Sequence, residues 1–195
     1  MPDSGSSTPI PDCSDVLREM NYDRYLAALY VPEAVRSAII AIDAFDAEIA
    51  AIPKRVTEPT AGEIRLQWWR EALNGERPGE AAAHPLAKAM LAVIEKHSLS
   101  PEVFEQYLDA RVFDFYQDPM PDMAMLEGYC GETSALLYQL KVQCISAKLA
   151  NECADLCGYA GMVSGLTRII NDDAGQAAHH ASVATKVCTF VCQLG

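Results

Sequence analysis

Residues 35–52 read VRSAIIAIDAFDAEIAAI, and this stretch decides the fold. Its large or apolar positions fall at Val35, Ala38, Ile39, Ile42, Phe45, Ile49 and Ile52. That is the three-and-four spacing of a helix with one buried stripe. At about 100° per residue, Asp46 lies within roughly 40° of the centre of the stripe. Asp43 stands one turn back on the same flank. A carboxylate turned toward a core needs a partner, a metal or a raised pKa. The inward side of this helix is therefore expected to be a polar cavity or the seat of a buried hydrogen bond.

Working outward, the other segments are also helical. A first helix is expected from about Cys13 to Tyr30, broken by Val31-Pro32, and the helix of Asp46 is expected to end at Pro53. A third runs from near Ala61 to Asn74-Gly75, with a linker to Glu80, and a fourth from His84 to His97. Ser100-Pro101-Glu102 starts a fifth, reaching about Tyr116. A sixth is expected over 122–145 and a seventh over 147–170. No strand is expected. The chain has 195 residues, half of them hydrophobic, with 8% aromatic. This composition fits one all-α domain over 13–195 behind a disordered Ser/Pro-rich tail, 1–12.

The formal net charge is -12, which argues against a nucleic-acid partner, whose backbone demands Lys and Arg. The cysteines number seven, an odd count that reads as free thiols in a reducing compartment. The tail carries no Lys or Arg and matches neither a secretory nor a mitochondrial leader. No apolar run reaches the roughly 18 residues of a membrane span. A cytoplasmic location is the expectation.

Four groups of residues have chemistry to offer. Asp43 and Asp46, adjacent on one helical face and close to Glu48, suit Mg²⁺, which binds through one or two carboxylates plus substrate phosphates. The alternative is a solvated acid pair. Asn171-Asp172-Asp173 offers a second half of such a site across a bundle, or an ordinary helix end. Gly62 to Arg70 holds two adjacent tryptophans, one expected in the core and the other at a junction or pocket wall, with Gln67 and Glu63 as a polar strip. Cys153/Cys157 and Cys188/Cys192 have a spacing compatible with zinc, but their apolar surroundings favour buried small hydrophobes.

Asp23-Arg24-Tyr25, Leu29-Tyr30-Val31-Pro32, Arg36 and the helix to Ile52 resemble the opening of the squalene/phytoene synthase family. Leu126-Glu127-Gly128-Tyr129-Cys130-Gly131-Glu132-Thr133, with Asp114 upstream, and Gly165-Leu166-Thr167-Arg168-Ile169-Ile170 extend the resemblance to about Asp173. It implies an all-α, isoprenoid-synthase-like helical bundle. It also implies head-to-head joining of prenyl diphosphates, with Mg²⁺ held between two aspartate-rich motifs on facing helices. This chain departs from the pattern. The first acidic motif falls at Ala50-Ala51 and Lys54, a diphosphate-binding arginine falls at Ala47, and in the second motif Asp172 is kept while Gln176 stands four later. The chain is also C-terminally short relative to the family.

The run Ala44-Phe45-Asp46-Ala47-Glu48-Ile49, followed by Glu63-Ile64-Arg65-Leu66-Gln67-Trp68-Trp69-Arg70, resembles a divergent branch: bacterial relatives of a mitochondrial complex I assembly factor. Two expectations follow. In the first, the protein is catalytically degenerate and binds a partner protein or a hydrophobic isoprenoid ligand, in the cytoplasm or peripheral to the inner membrane. In the second, it is an active transferase acting on farnesyl or geranylgeranyl diphosphate. Asp43, Asp46 and Asp172 would then hold Mg²⁺, and Arg36, Arg65, Gln67, Trp68 and Tyr129 would bind substrate. No residue is singled out as catalytic.

Overall fold

The computed structural model describes residues 9–116 and 120–173, the last four of these by backbone only. Among the described residues the regular elements are all helical, with no strand. The elements are α1 (Ser14–Met20), α2 (Tyr22–Ala28), α3 (Glu33–Arg55), α4 (Pro59–Leu73), α5 (Pro78–Ala83), α6 (Pro85–His97), α7 (Pro101–Arg111), α8 (Met123–Cys130), α9 (Leu136–Ile145), α10 (Ala147–Glu152) and α11 (Ala154–Asp173).

Helix α3 is the axis of the bundle. Every residue from Ala38 to Asp46 is buried, so the helix is enclosed on all sides there, not on one stripe alone. The alanines at 38, 41 and 44 let neighbouring helices approach closely. Helices α1, α2, α4, α6 and α9 all pack on it. On one side Phe45 meets Trp69, Phe104 and Tyr107, with ring centroids 5.2, 5.9 and 5.5 Å away. These aromatic contacts bring α4 and α7 against the middle of α3.

Several boundaries differ from the expectation for local reasons. The expected first helix is two helices, because Asn21 sits at φ -152° and uses its side chain to accept from Arg24 N at the start of α2. Helix α3 runs through Pro53 to Arg55, the proline falling in its last turn. The expected linker before Glu80 gives way to the short α5, which starts with Pro78. Helix α7 tightens into a 3-10 turn, Val112–Phe115. The expected sixth helix is α8 and α9 joined by a π-helical segment, Gly131–Ala135. The expected seventh is interrupted at Cys153.

The π segment is where α11 crosses most closely. A Cβ on Gly161 would collide with the backbone of Ala135, and one on Gly165 would lie 2.7 Å from Cys130 Sγ. The two glycines allow this crossing, and it carries Arg168, on the same helix, toward α3. At the other end of the chain, Ile10 packs against the core and Cys13 is buried.

Candidate functional site

Asp43 and Asp46 both turn inward, as their helical positions predict, and are 4% and 2% exposed. Three helices remote in sequence bring cations to them. Arg24 on α2 donates to Asp46 Oδ2 and lies 3.4 Å from Asp43 Oδ1. Lys141 on α9 donates to Asp43 Oδ1 at 2.6 Å. Arg168 on α11 places Nη1 3.6 Å from Asp46 Oδ1.

Helix α7 supplies the buried half of the cluster. Phe104, Tyr107, Leu108 and Arg111 form its inward stripe, and Arg111 is 2% exposed. Its Nη2 donates to Asp46 Oδ1, and the Tyr107 hydroxyl donates to the same oxygen at 2.5 Å. Arg111 Nε donates in turn to the Tyr107 oxygen at 3.0 Å, and Nη1 to Asp114 at 2.9 Å. Tyr129 on α8 completes the set. Its hydroxyl donates to Asp114 at 2.5 Å and accepts from Arg111 at 3.3 Å and Arg168 at 3.1 Å.

The electrostatics follow from this geometry. Burial pushes the Asp46 carboxyl up, but Arg111, Arg24 and Arg168 outweigh it and hold the group well below the usual carboxylate range. Burial holds the Tyr107 and Tyr129 hydroxyls well above theirs, so both stay neutral donors. Burial pulls Arg111 and Arg24 down, and their anionic neighbours, Asp46 among them, more than restore both. Among the described residues, three carboxylates (Asp43, Asp46, Asp114) face four cations (Arg24, Arg111, Lys141, Arg168).

This arrangement does not fit the magnesium site that the acids at 43 and 46 suggested. Mg²⁺ demands free oxygens in near-octahedral geometry. Asp46 Oδ1 already accepts two hydrogen bonds, Oδ2 is held by Arg24, and Lys141 holds Asp43. A divalent cation would enter beside four positive side chains, a repulsion strengthened by burial. No group of three or more His, Cys, Asp or Glu side chains is gathered to hold a metal among the described residues. Asp172 lies in the last turn of α11, and its side chain is outside the described residues. Gln176, Cys188 and Cys192 also lie outside them.

Of the substrate-binding candidates, the structure brings Tyr129 to the cluster and leaves the others elsewhere. Arg36 donates twice to the Val31 carbonyl, at 3.2 and 3.0 Å, bracing the turn between α2 and α3. Arg65 is exposed on α4. Gln67 bridges Glu71 and Arg70 on the outer face of α4 and does not pair with Glu63, which accepts from Tyr116. Trp69 is the core anchor, while Trp68 sits at a junction, donating to Glu80 at 2.8 Å and packing on His84. Arg111, Tyr107 and Lys141 are members that the sequence reading passed over. The signal for Arg111 was present: it stands at the next position of a stripe whose other members are apolar.

A family model described as squalene/phytoene synthase matches residues 17–181. The curated relatives include proteins named NADH dehydrogenase (ubiquinone) complex I, assembly factor 6. The Bos taurus protein is 26% identical over 136 residues, covering 70% of this chain and 41% of its own length. The Rattus norvegicus protein is 26% identical over 149 residues, covering 74% and 45%. The Dictyostelium discoideum homolog is 24% identical over 172 residues, covering 88% and 48%. The chain thus spans less than half the length of the curated relatives it matches. No solved structure matches it. The chain belongs to the squalene/phytoene synthase family.

Proposed function

We propose that this member of the squalene/phytoene synthase family is a catalytically silent helical protein that works by binding a partner protein in the assembly of a respiratory complex. One observation carries the reading: Arg24, Arg111 and Lys141 hydrogen-bond the carboxylates of Asp43 and Asp46, and Arg168 stands 3.6 Å from Asp46. Ionising a prenyl diphosphate leaves pyrophosphate, and its charge must be met by metal ions or cationic groups at the leaving group. Here the cations lie against the protein's own acids. The name carried by the relatives supplies the class of partner, and assembly at a membrane complex would place the protein in the cytoplasm or against the inner membrane. Among the described residues no helix is long and apolar enough to cross a membrane.

The test is incubation of the purified protein with farnesyl diphosphate and Mg²⁺, followed by extraction of products. No hydrocarbon product and no released pyrophosphate are expected. Metal-dependent product formation would overturn the reading.

A second reading, a prenyl diphosphate or other isoprenoid held without turnover, is favoured by the outer side of the cluster. Arg24, Lys141 and Arg168 keep 24%, 15% and 18% of their side-chain surface exposed. An anionic head group would meet cations there. Calorimetry with farnesyl diphosphate in EDTA tests this version, and heats equal to the buffer blank would remove it.

A further inference from the structure

Resting on the reading that the chain acts through a partner protein, we propose that the outward face of α2 and of the turn after it is a docking surface for a basic amphipathic helix. Tyr22, Leu26 and Leu29 stand at i, i+4 and i+7, within about 60° of one another around the helix axis. All three are exposed, Tyr22 at 57%, and Tyr30, at 92%, carries the apolar run one residue further. The opposite face of α2 is already used: Ala28 is buried, and Arg24, four residues before it, reaches in to Asp43 and Asp46. The outward stripe is held in shape. The Tyr22 ring lies 6.3 Å from that of Tyr25, and Arg36 fixes the Val31 carbonyl just behind the turn that presents Leu29 and Tyr30. A preformed stripe loses little freedom on binding, and its spacing is that on which an apolar helix face lies.

The charge around the stripe selects the partner. Glu19 precedes it, Asp23 stands on its flank and Glu33 follows it. All three acids are exposed, and among the described residues none is paired with a cation. The cations between Asp12 and Ile49 are Arg18, Arg24 and Arg36. Each is turned to a group of this chain: Arg18 to Asp15 at 2.9 Å, Arg24 to Asp43 and Asp46, and Arg36 to the Val31 carbonyl. In a two-fold contact between copies centred on Leu26, Glu19 would oppose Glu33 of the other copy, acid on acid. An anionic lipid surface would meet the same three acids. A helix that lays apolar residues on the stripe, with Lys or Arg beside Glu19, Asp23 and Glu33, matches both features.

The experiment titrates the full chain into two fluorescent peptides of about 18 residues, long enough for five turns. One is built from Leu and Lys in amphipathic register; in the other Glu replaces Lys. The Leu/Lys peptide is expected to bind, and the Leu/Glu peptide is not. The double variant Tyr22→Ser/Leu26→Ser should weaken binding about tenfold or more, as loss of a central anchor does. Tyr159→Ser, a change at an exposed residue of α11, should leave it unchanged. Exposed substitutions of this kind leave the fold intact, and circular dichroism of each variant checks that. As a second readout, Glu19→Lys/Glu33→Lys should weaken the Leu/Lys peptide with the stripe untouched. Glu76→Lys/Glu95→Lys, the same change of net charge at exposed acids elsewhere on the chain, should not.

Absence of binding to the natural chain, equal binding of the two peptides, equal loss in Tyr159→Ser, or equal loss in the two charge variants would overturn the proposal. So would self-association or vesicle binding abolished by the stripe variant, which would assign the face to a second copy or a bilayer. A photo-reactive residue at position 26 that cross-links only to residues 1–8 or 174–195 would overturn it too, by assigning the stripe to a segment of the chain itself. None of these outcomes bears on turnover of farnesyl diphosphate, so the failure of this surface and the failure of catalytic silence are read separately.

Discussion

Arg111 and Asp46 meet across the centre of the bundle, each 2% exposed, from positions 65 residues apart in the chain. Removing one partner of a buried pair strands the other charge, at a cost of about 3–5 kcal/mol. Asp46→Asn and Arg111→Met should each destabilise by about that amount. The double variant should cost less than the sum, because the Arg111–Asp46 contact is lost only once. Urea denaturation of the four proteins measures the coupling, and strict additivity would contradict the pairing.

Acid should weaken the protein through Asp46. Its folded-state pKa lies below the unfolded value of about 3.9, since three arginines outweigh the effect of burial. A depressed carboxyl contributes stability that is complete above the unfolded pKa and is lost as pH falls through the folded one. The unfolding free energy should therefore hold steady above about pH 5 and decline progressively below about pH 4. In Asp46→Asn the decline should be shallower. A wild-type and variant profile of equal slope would rule out this role.

Magnesium should not stabilise the native state. A metal bound there would raise the unfolding free energy by about 2.7 kcal/mol at a hundredfold excess over Kd. Thermal melts in millimolar Mg²⁺ and in EDTA should instead coincide. A midpoint that climbs with magnesium concentration would reopen the metal site at Asp43 and Asp46.

Gly161→Ala should destabilise although alanine is the better helix former. Its Cβ would meet the Ala135 backbone, which cannot move aside as a flexible side chain can. Overpacking of this kind costs about 1–3 kcal/mol, exceeding the helix-propensity gain of about 1 kcal/mol. A melting temperature at or above that of the natural chain would show that α11 can back away from the π segment.

Arg36→Ala should act on stability and not on anionic ligands. Its guanidinium donates to the Val31 carbonyl from Nε and Nη2. Loss of hydrogen bonds to a charged donor costs about 1.5–3 kcal/mol where they are shielded, and less at this partly exposed turn. Pyrophosphate binding followed by calorimetry should match that of the natural chain. A selective loss of binding with unchanged melting would restore the phosphate role.

What was legible in the sequence was whatever depends on near neighbours. The 3.6-residue period placed Asp46 and Asp43 inward because each side chain's direction is fixed by its own helix. Proline and glycine marked the start of α7 and the end of α4. The breaks at Asn21 and Cys153 carry no such punctuation, and α5 is too short to show a period. The cluster itself was only half legible. That Asp46 needed a partner followed from burial, but Tyr107 and Arg111 lie 61 and 65 residues away, and Lys141 is 98 from Asp43. No local pattern encodes which distant helix brings a cation. The adjacency of Asp43 and Asp46 suggested magnesium, but the arginines and lysine that lie against those carboxylates come from helices that no local spacing could point to.

Because these counter-charges arrive so late in the chain, the order of synthesis matters to α3. When the first hundred residues have left the ribosome, Asp46 has only Arg24 for company, and water is its better solvent. Full pairing of the central helix's acids therefore requires α7, α9 and α11, and cannot precede their synthesis.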